Sequence, residues 1–529
     1  MFSILTVMLL SAQAAGSTPA VSTACDKLAA LALPNTTITS AQLVPAGPFT
    51  APGPQGPPGG PVAPNAQAGG RGAAAGGRGQ GPAAPQTMLP AHCRVQAVLK
   101  PSADSHIEME VWLPAENWNG KFQAVGNGGW AGIISYPALA SALQEGYAAA
   151  SNDTGHKGGN ALFAIGHPEK LTDFAYRAVH EMVVQSKSIV SSYYGRQARL
   201  SYWNGCSTGG RQGLMSAQKY PEDFDAVLAG APANYQTHLH AWDLSVAIPV
   251  LKDPGAAIPA SKLAMINRAA LNACDARDGV TDGLINDPRT CSFDVAKLQC
   301  KAGDGEDCLT APQVAAAKQI YSNAVNPRTK QELFASLVPG TELGWGVQAA
   351  GPEPSANIYD QYRYVVFKDP NWDWKTFNFD TDVVKGDLPE NLIMNATDPN
   401  MQPFFSRGGK LILYHGWSDS QVPAVNTIKY YDAVVAHMGG ADQATGHVRL
   451  FMAPGMGHCA GGEGPNTFDK VKALEDWVER GKAPARFEAS HSTDGRVDRT
   501  RPLCPYPQVA RYSGTGSTDE AGSFVCKAP

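Results

Sequence analysis

Two parts of the chain alternate short apolar runs of strand length with longer stretches of helical spacing. KFQAVG (121–126) and YAAASND (147–153) are continuous enough in apolar and small residues to be buried strands. Residues 171–195 read as one long helix, opening at Thr172–Asp173 and closing at Gly195. SYWNGCS (201–207) is a strand running into a glycine-bearing turn. A helix through Met215 and Tyr220 follows, then the apolar strand FDAVLAGAP (224–232). From about 234 to 405 the rhythm stops and the chain reads as irregular, with Trp242, Trp345, Trp372 and Trp374 among its aromatics. It resumes with the strand KLILYHG (410–416), a helix through Tyr430, the strand VRLFMAP (448–454) and a helix over 468–481. This alternation predicts βαβ units and a mostly parallel sheet. One sheet broken by a large insertion explains the gap better than two tandem domains, and no internal repeat is present.

Two segments stand apart. MFSILTVMLLSAQA is apolar and ends in the small residues Ala12 and Ala14, so residues 1–14 read as a signal peptide, although a basic residue near the start is missing. The competing reading is a buried N-terminal segment. Export makes the expected location secreted or periplasmic. No other apolar run approaches the roughly twenty residues that span a bilayer, so no membrane partner is expected. Residues 45–86 are almost entirely Pro, Gly and Ala and read as a disordered surface loop flanked by Cys25 and Cys93.

Charge changes little. There are 42 Lys and Arg against 47 Asp and Glu, a net charge of −5, with both signs scattered, and no cluster that would bind nucleic acid. The ten cysteines change more. Export would favour disulfides, but ten cysteines allow nine times the 105 pairings open to eight. A zinc site fails on spacing, because no two cysteines form a C-x-x-C pair.

Gly205-Cys206-Ser207-Thr208-Gly209 fits G-x-S-x-G directly between a strand and a helix, a context that pushes a serine oxygen out at the top of a sheet. A serine hydroxyl needs a base and an orienting carboxylate, which follow in the order Ser, acid, His in this arrangement. Asp419 lies just past KLILYHG and His458 just past VRLFMAP. The other histidines after Asp419 suit less: His437 sits in a predicted helix, His447 precedes its strand and His491 lies in a polar tail region. Ser207, Asp419 and His458 are therefore the candidate triad. For an oxyanion hole the candidates are the amide of Thr208 and one from the loop Gly126-Asn127-Gly128-Gly129, with Gly129 favoured and Gly128 next. Cys206 and Cys459 adjoin the serine and the histidine, so an assembled triad would bring them close enough for a disulfide.

A cysteine before the serine and another after the histidine resemble the tannase and feruloyl esterase family, which includes hydrolases of terephthalate monoesters. The resemblance runs from about Cys25 to Cys526 without the Pro/Gly-rich loop. It takes in WNGKF…GNGG, GCSTGGRQG, HGWSD, GMGHC and RPLCPYPQVARY. It implies an α/β-hydrolase fold in two parts, 15–233 and 406–529, with 234–405 as a lid domain. It also implies the pairs Cys25–Cys93, Cys206–Cys459, Cys274–Cys291, Cys300–Cys308 and Cys504–Cys526.

Within 234–405, Asp275, Asp278 and Asp282 fall within eight residues and are separated by two glycines, which suits either a hard cation such as calcium or a solvated acidic turn. The resemblance favours structural calcium, held by those side chains and by the carbonyls of Val280 and Leu284. No organic cofactor is expected. The function expected is hydrolysis of a small aromatic ester through an acyl-enzyme, of feruloyl, hydroxycinnamoyl or galloyl type, the insertion's aromatics offering faces for stacking. A terephthalate monoester is the alternative. A serine peptidase, or a non-catalytic binding protein on a hydrolase fold, is the reading from another class. The sequence leaves the oligomeric state open.

Overall fold

A computed structural model describes residues 23–51, 87–348 and 353–529. The expected signal peptide and residues 52–86 of the Pro/Gly-rich run lie outside the described residues. The nine strands of the central sheet are β1 (Thr36–Val44), β2 (His92–Leu99), β3 (Ile107–Pro114), β4 (Lys121–Val125), β5 (Ala148–Asn152), β6 (Leu200–Cys206), β7 (Ala226–Gly230), β8 (Lys410–Gly416) and β9 (Val448–Ala453). They lie in the order β1-β2-β3-β5-β4-β6-β7-β8-β9. The joins β1/β2, β2/β3 and β3/β5 are antiparallel, and all the others are parallel. This is the α/β-hydrolase arrangement, with the expected strands in place and an antiparallel edge added.

The helices that matter here are α1 (Tyr136–Gln144), α2 (Ala178–Tyr194), α3 (Thr208–Lys219), α4 (Gln236–Lys252), α5 (Ala260–Cys274), α6 (Ala311–Ile320), α7 (Val425–His437) and α8 (Lys470–Arg480). Both faces of the sheet are covered. On one, Met182 and Ile189 of α2 pack with Val111, Phe122 and Leu413. On the other, Leu139 and Leu143 of α1 and Leu474 and Trp477 of α8 pack with Tyr202, Leu228 and Phe451.

The run expected as one helix over 171–195 is broken. A π turn at Asp173–Arg177 precedes α2 and lets the buried Asp173 carboxylate meet Arg177 Nε at 2.6 Å. The helix does end at Gly195, whose φ of +66° suits glycine.

The stretch expected as irregular holds α4, α5 and α6 between β7 and β8. It has its own apolar cluster, including Trp242, Ile266, Ile320 and Trp345. Trp242, Trp345 and Trp374 are buried at 0%, 3% and 2% exposure, so these three indoles stabilise the insertion and offer no free face to a ligand. Trp372 stacks on Phe367 with centroids 4.8 Å apart. All five disulfides implied by the family resemblance are present. No described helix is long and apolar enough to cross a membrane.

Candidate active site

Ser207 sits between β6 and α3 at φ +63° and ψ −123°, a conformation that a non-glycine residue holds only when its surroundings impose it. Here they do. Its N–H donates to Gly230 O at the end of β7 (2.9 Å), and its carbonyl accepts from Arg211 N (3.0 Å) and Ala233 N (3.2 Å). The turn is sharp enough that a Cβ at Gly205 would lie 2.5 Å from Gly209 O, which excludes a side chain there; one at Gly209 would stand a tight 3.1 Å from Asn127 O.

Asp419 follows β8 and His458 follows β9, as the sequence order required. Their loops lie against each other: Ser418 N donates to Met456 O (2.9 Å), and a Cβ at Gly416 would stand 2.1 Å from that carbonyl. His458 Nδ1 is 2.7 Å from Asp419 Oδ2. Gln421 N and Val422 N donate to Asp419 Oδ1 at 2.8 and 2.9 Å. Burial by itself would push this carboxyl up, but the adjacent His458 and His415 outweigh it and hold the group well below the usual carboxylate range. The carboxylate is fully buried, while the His458 ring keeps 13% exposure.

Ser207 and His458 come from different loops, and the Cys206–Cys459 bridge joins their neighbours with Cα atoms 6.0 Å apart. No hydrogen bond joins the Ser207 hydroxyl to the imidazole among the described residues. Apo hydrolases often tighten that contact only on binding substrate.

The oxyanion candidates also meet. Thr208 Oγ1 donates to Gly129 O at 2.9 Å, and Gly129 has φ +51°. Asn127 and Gln212 exchange hydrogen bonds of 3.0 and 3.1 Å, fixing the glycine loop to α3. Among the described residues, neither the Thr208 N–H nor the Gly129 N–H has an acceptor. Two donors are thus free beside the serine.

Two groups were missed from sequence. His415 lies inside β8 and reaches Asp419 Oδ2 at 3.0 Å; its sequence signals are a polar residue in a largely apolar strand and its place at the head of HGWSD. Gln212 on α3 falls within GCSTGGRQG, a segment that carries the family resemblance, but the resemblance gave it no role. The three rival histidines are placed elsewhere: His437 ends α7, His447 lies just before β9, and His491 pairs with Asp498 at 2.6 Å in a hairpin rather than a tail.

In the acidic loop, Asp275 accepts from Asp282 N and Gly283 N (3.2 and 2.8 Å), and Asp278 accepts from Val280 N (3.2 Å). Asp282 meets the buried guanidinium of Arg501 at 2.5 Å. Burial pushes the Asp278 carboxyl up to about 6; the Val280 N–H opposes the rise and repulsion from Asp282 adds to it. The donors are all oxygen and carry three negative charges, which fits a hard cation. As placed, the carboxylates turn to the backbone and Arg501, and among the described residues no three His, Cys, Asp or Glu side chains converge as a ligand set. Val280 packs with Cys504, Ala510 and Phe524, so the loop joins the insertion to the C-terminal hairpins.

The sequence model described as "Tannase and feruloyl esterase" matches residues 93–527. The chain belongs to this family. Like other tannase-family proteins it is a carboxylic-ester hydrolase. An uncharacterized esterase of Xanthomonas campestris is 38% identical over 99% of this chain and 95% of its own length. A probable feruloyl esterase B-1 of Aspergillus terreus is 34% identical over 82% of this chain and 86% of its own. Among solved structures, feruloyl esterase B from Aspergillus oryzae superposes with a TM-score of 0.84 at 30% identity, covering 95% of this chain and 99% of that one. Tannin acyl hydrolase from Aspergillus niger shares the fold at 22% identity and a TM-score of 0.73, over 94% of this chain and 92% of its own.

Proposed function

We propose that the chain hydrolyses esters of aromatic acids, with Ser207 as nucleophile, His458 as general base and Asp419 as its orienting carboxylate. The observation that carries this reading is the bridge from Cys206 to Cys459, which ties a strained serine turn to the loop of a histidine already paired with a buried carboxylate. Ser207 Oγ attacks the ester carbonyl as its proton passes to His458 Nε2, and the N–H groups of Thr208 and Gly129 receive the developing oxyanion. Collapse breaks the bond to the alcohol, which leaves with the proton from His458. Water activated by the same nitrogen then releases the acid and restores the serine.

Feruloyl and hydroxycinnamoyl or galloyl esters are the substrates proposed, because the relatives carry feruloyl esterase names; a terephthalate monoester is the alternative. Residues 234–405 act as the lid, a reading supported by Asn357, whose Oδ1 would stand 2.9 Å from a Cβ at Gly129. The five disulfides and the apolar first fourteen residues support a secreted or periplasmic location. Methyl ferulate, methyl gallate, a terephthalate monoester and p-nitrophenyl acetate, assayed in parallel, test the substrate class. The largest kcat/KM is expected on methyl ferulate or methyl gallate; hydrolysis of p-nitrophenyl acetate with no turnover of methyl ferulate, methyl gallate or the terephthalate monoester would overturn the aromatic-acid reading.

We further propose that Asp275, Asp278 and Asp282, with the Val280 and Leu284 carbonyls, hold a structural calcium ion. Its charge would offset the three crowded carboxylates and clamp the insertion to the C-terminal hairpins. A chelator should then lower the melting midpoint by a few °C, and added calcium should restore it, with little change in kcat at 25 °C. Identical midpoints in chelator and in calcium would count against the ion.

A further inference from the structure

We propose that His415 is a positioning residue for the catalytic carboxylate, holding the same Asp419 oxygen, Oδ2, that His458 meets; the inference rests on the triad reading above. Two imidazoles meet the same oxygen: His458 Nδ1 at 2.7 Å and His415 Nε2 at 3.0 Å. Two backbone N–H groups already fill Oδ1. With four donors in place the carboxylate can neither rotate nor shift, so the direction in which it holds the His458 ring is fixed. These two histidines are the titratable groups that face Asp419.

The His415 ring is fixed in its turn. It is fully buried inside β8, with Nδ1 2.8 Å from Thr427 Oγ1 on α7 and Nε2 also 2.9 Å from Val422 O. Asp419 Oδ2 and Val422 O are both acceptors, so Nε2 carries the hydrogen whichever way the Thr427 bond runs. A ring that only closed the 416–422 turn would need the Val422 contact alone. The second contact, to the oxygen that orients the base, gives His415 a bearing on rate.

The test compares His415→Leu, which removes the donor, His415→Asn, whose amide is too short to reach Oδ2, and His415→Gln, whose amide N–H takes about the place of Nε2. p-Nitrophenyl acetate is the probe, with melting curves on each protein. His415→Leu and His415→Asn are expected to lose about 10- to 100-fold in kcat with KM within about twofold. Their acid limb in kcat/KM should move to higher pH: with one donor gone, more of the carboxylate's charge favours the protonated His458 ring, so neutral base is lost sooner as pH falls. His415→Gln should recover most of both. Should His415→Leu fail to fold, His415→Asn carries the same expectation. Wild-type kcat and an unmoved acid limb in a folded His415→Asn protein would overturn the proposal, as would equal losses in the Asn and Gln variants that follow only the melting midpoint. Full activity in Asp419→Asn would instead sink the triad reading beneath it.

Discussion

Ser207→Ala is expected to lose about 10⁴- to 10⁶-fold in kcat on p-nitrophenyl esters while its melting curve stays that of the wild type. The hydroxyl makes no hydrogen bond among the described residues, so its removal leaves no buried group unpaired. Alanine occupies the same strained φ, and the backbone bonds to Gly230, Arg211 and Ala233 are untouched. Asp419→Asn should fall by about 10⁴-fold for a different reason. The carboxylate accepts from four N–H donors, and an amide in its place would point its own NH₂ at two of them. Asp419→Asn should also be less stable near neutral pH. A carboxyl held below its ordinary range stabilises the fold above about pH 4, and that contribution is lost as pH falls through the depressed value. A Ser207→Ala protein with wild-type ester hydrolysis would disprove the assignment.

Replacing both Cys206 and Cys459 by alanine should reduce kcat by about 10²-fold even where the protein remains folded, because the bridge sets where the base stands relative to the nucleophile. Stability should fall separately. Closing a loop of 253 residues stabilises a fold by about 5 kcal/mol in the chain-entropy model, and native bridges often deliver less. Measuring kcat well below the melting midpoint of the double variant separates the two effects. Peptide mapping of the unreduced wild type gives a direct check; Cys206 as a free thiol, or joined to another cysteine, would remove the basis for the expectation.

The parallel strands and the candidate triad were legible in sequence because each parallel strand is buried on both faces and reads as a plain apolar run, such as KLILYHG. The antiparallel edge was not. β1 is an edge strand with only Ile38 and Ala41 buried, and such partial burial leaves no continuous apolar run to read. The helices of the insertion were hidden for the opposite reason. α4 is buried nearly all round, so polar residues such as Gln236, His238 and Asp243 sit inside and blur its period. His415 was invisible as a partner because a residue four positions from Asp419 in sequence looks like a strand residue. Only the turn after β8 folds it back onto the carboxylate.

The five bridges differ in what they ask of a chain made from its N-terminus. Four of them join cysteines consecutive in sequence, so each can close as soon as its second partner emerges. Cys206 cannot. Its partner lies beyond Cys274, Cys291, Cys300 and Cys308, all of which appear first. Until β9 is made, Cys206 must either stay a thiol or pair wrongly and be released by thiol–disulfide exchange. The bond that ties the Ser207 turn to the His458 loop is therefore the one bond that pairing of consecutive cysteines in order of synthesis cannot make. The yield of active enzyme thus depends on Cys206 staying a thiol until Cys459 is made, or on isomerisation wherever it has paired earlier.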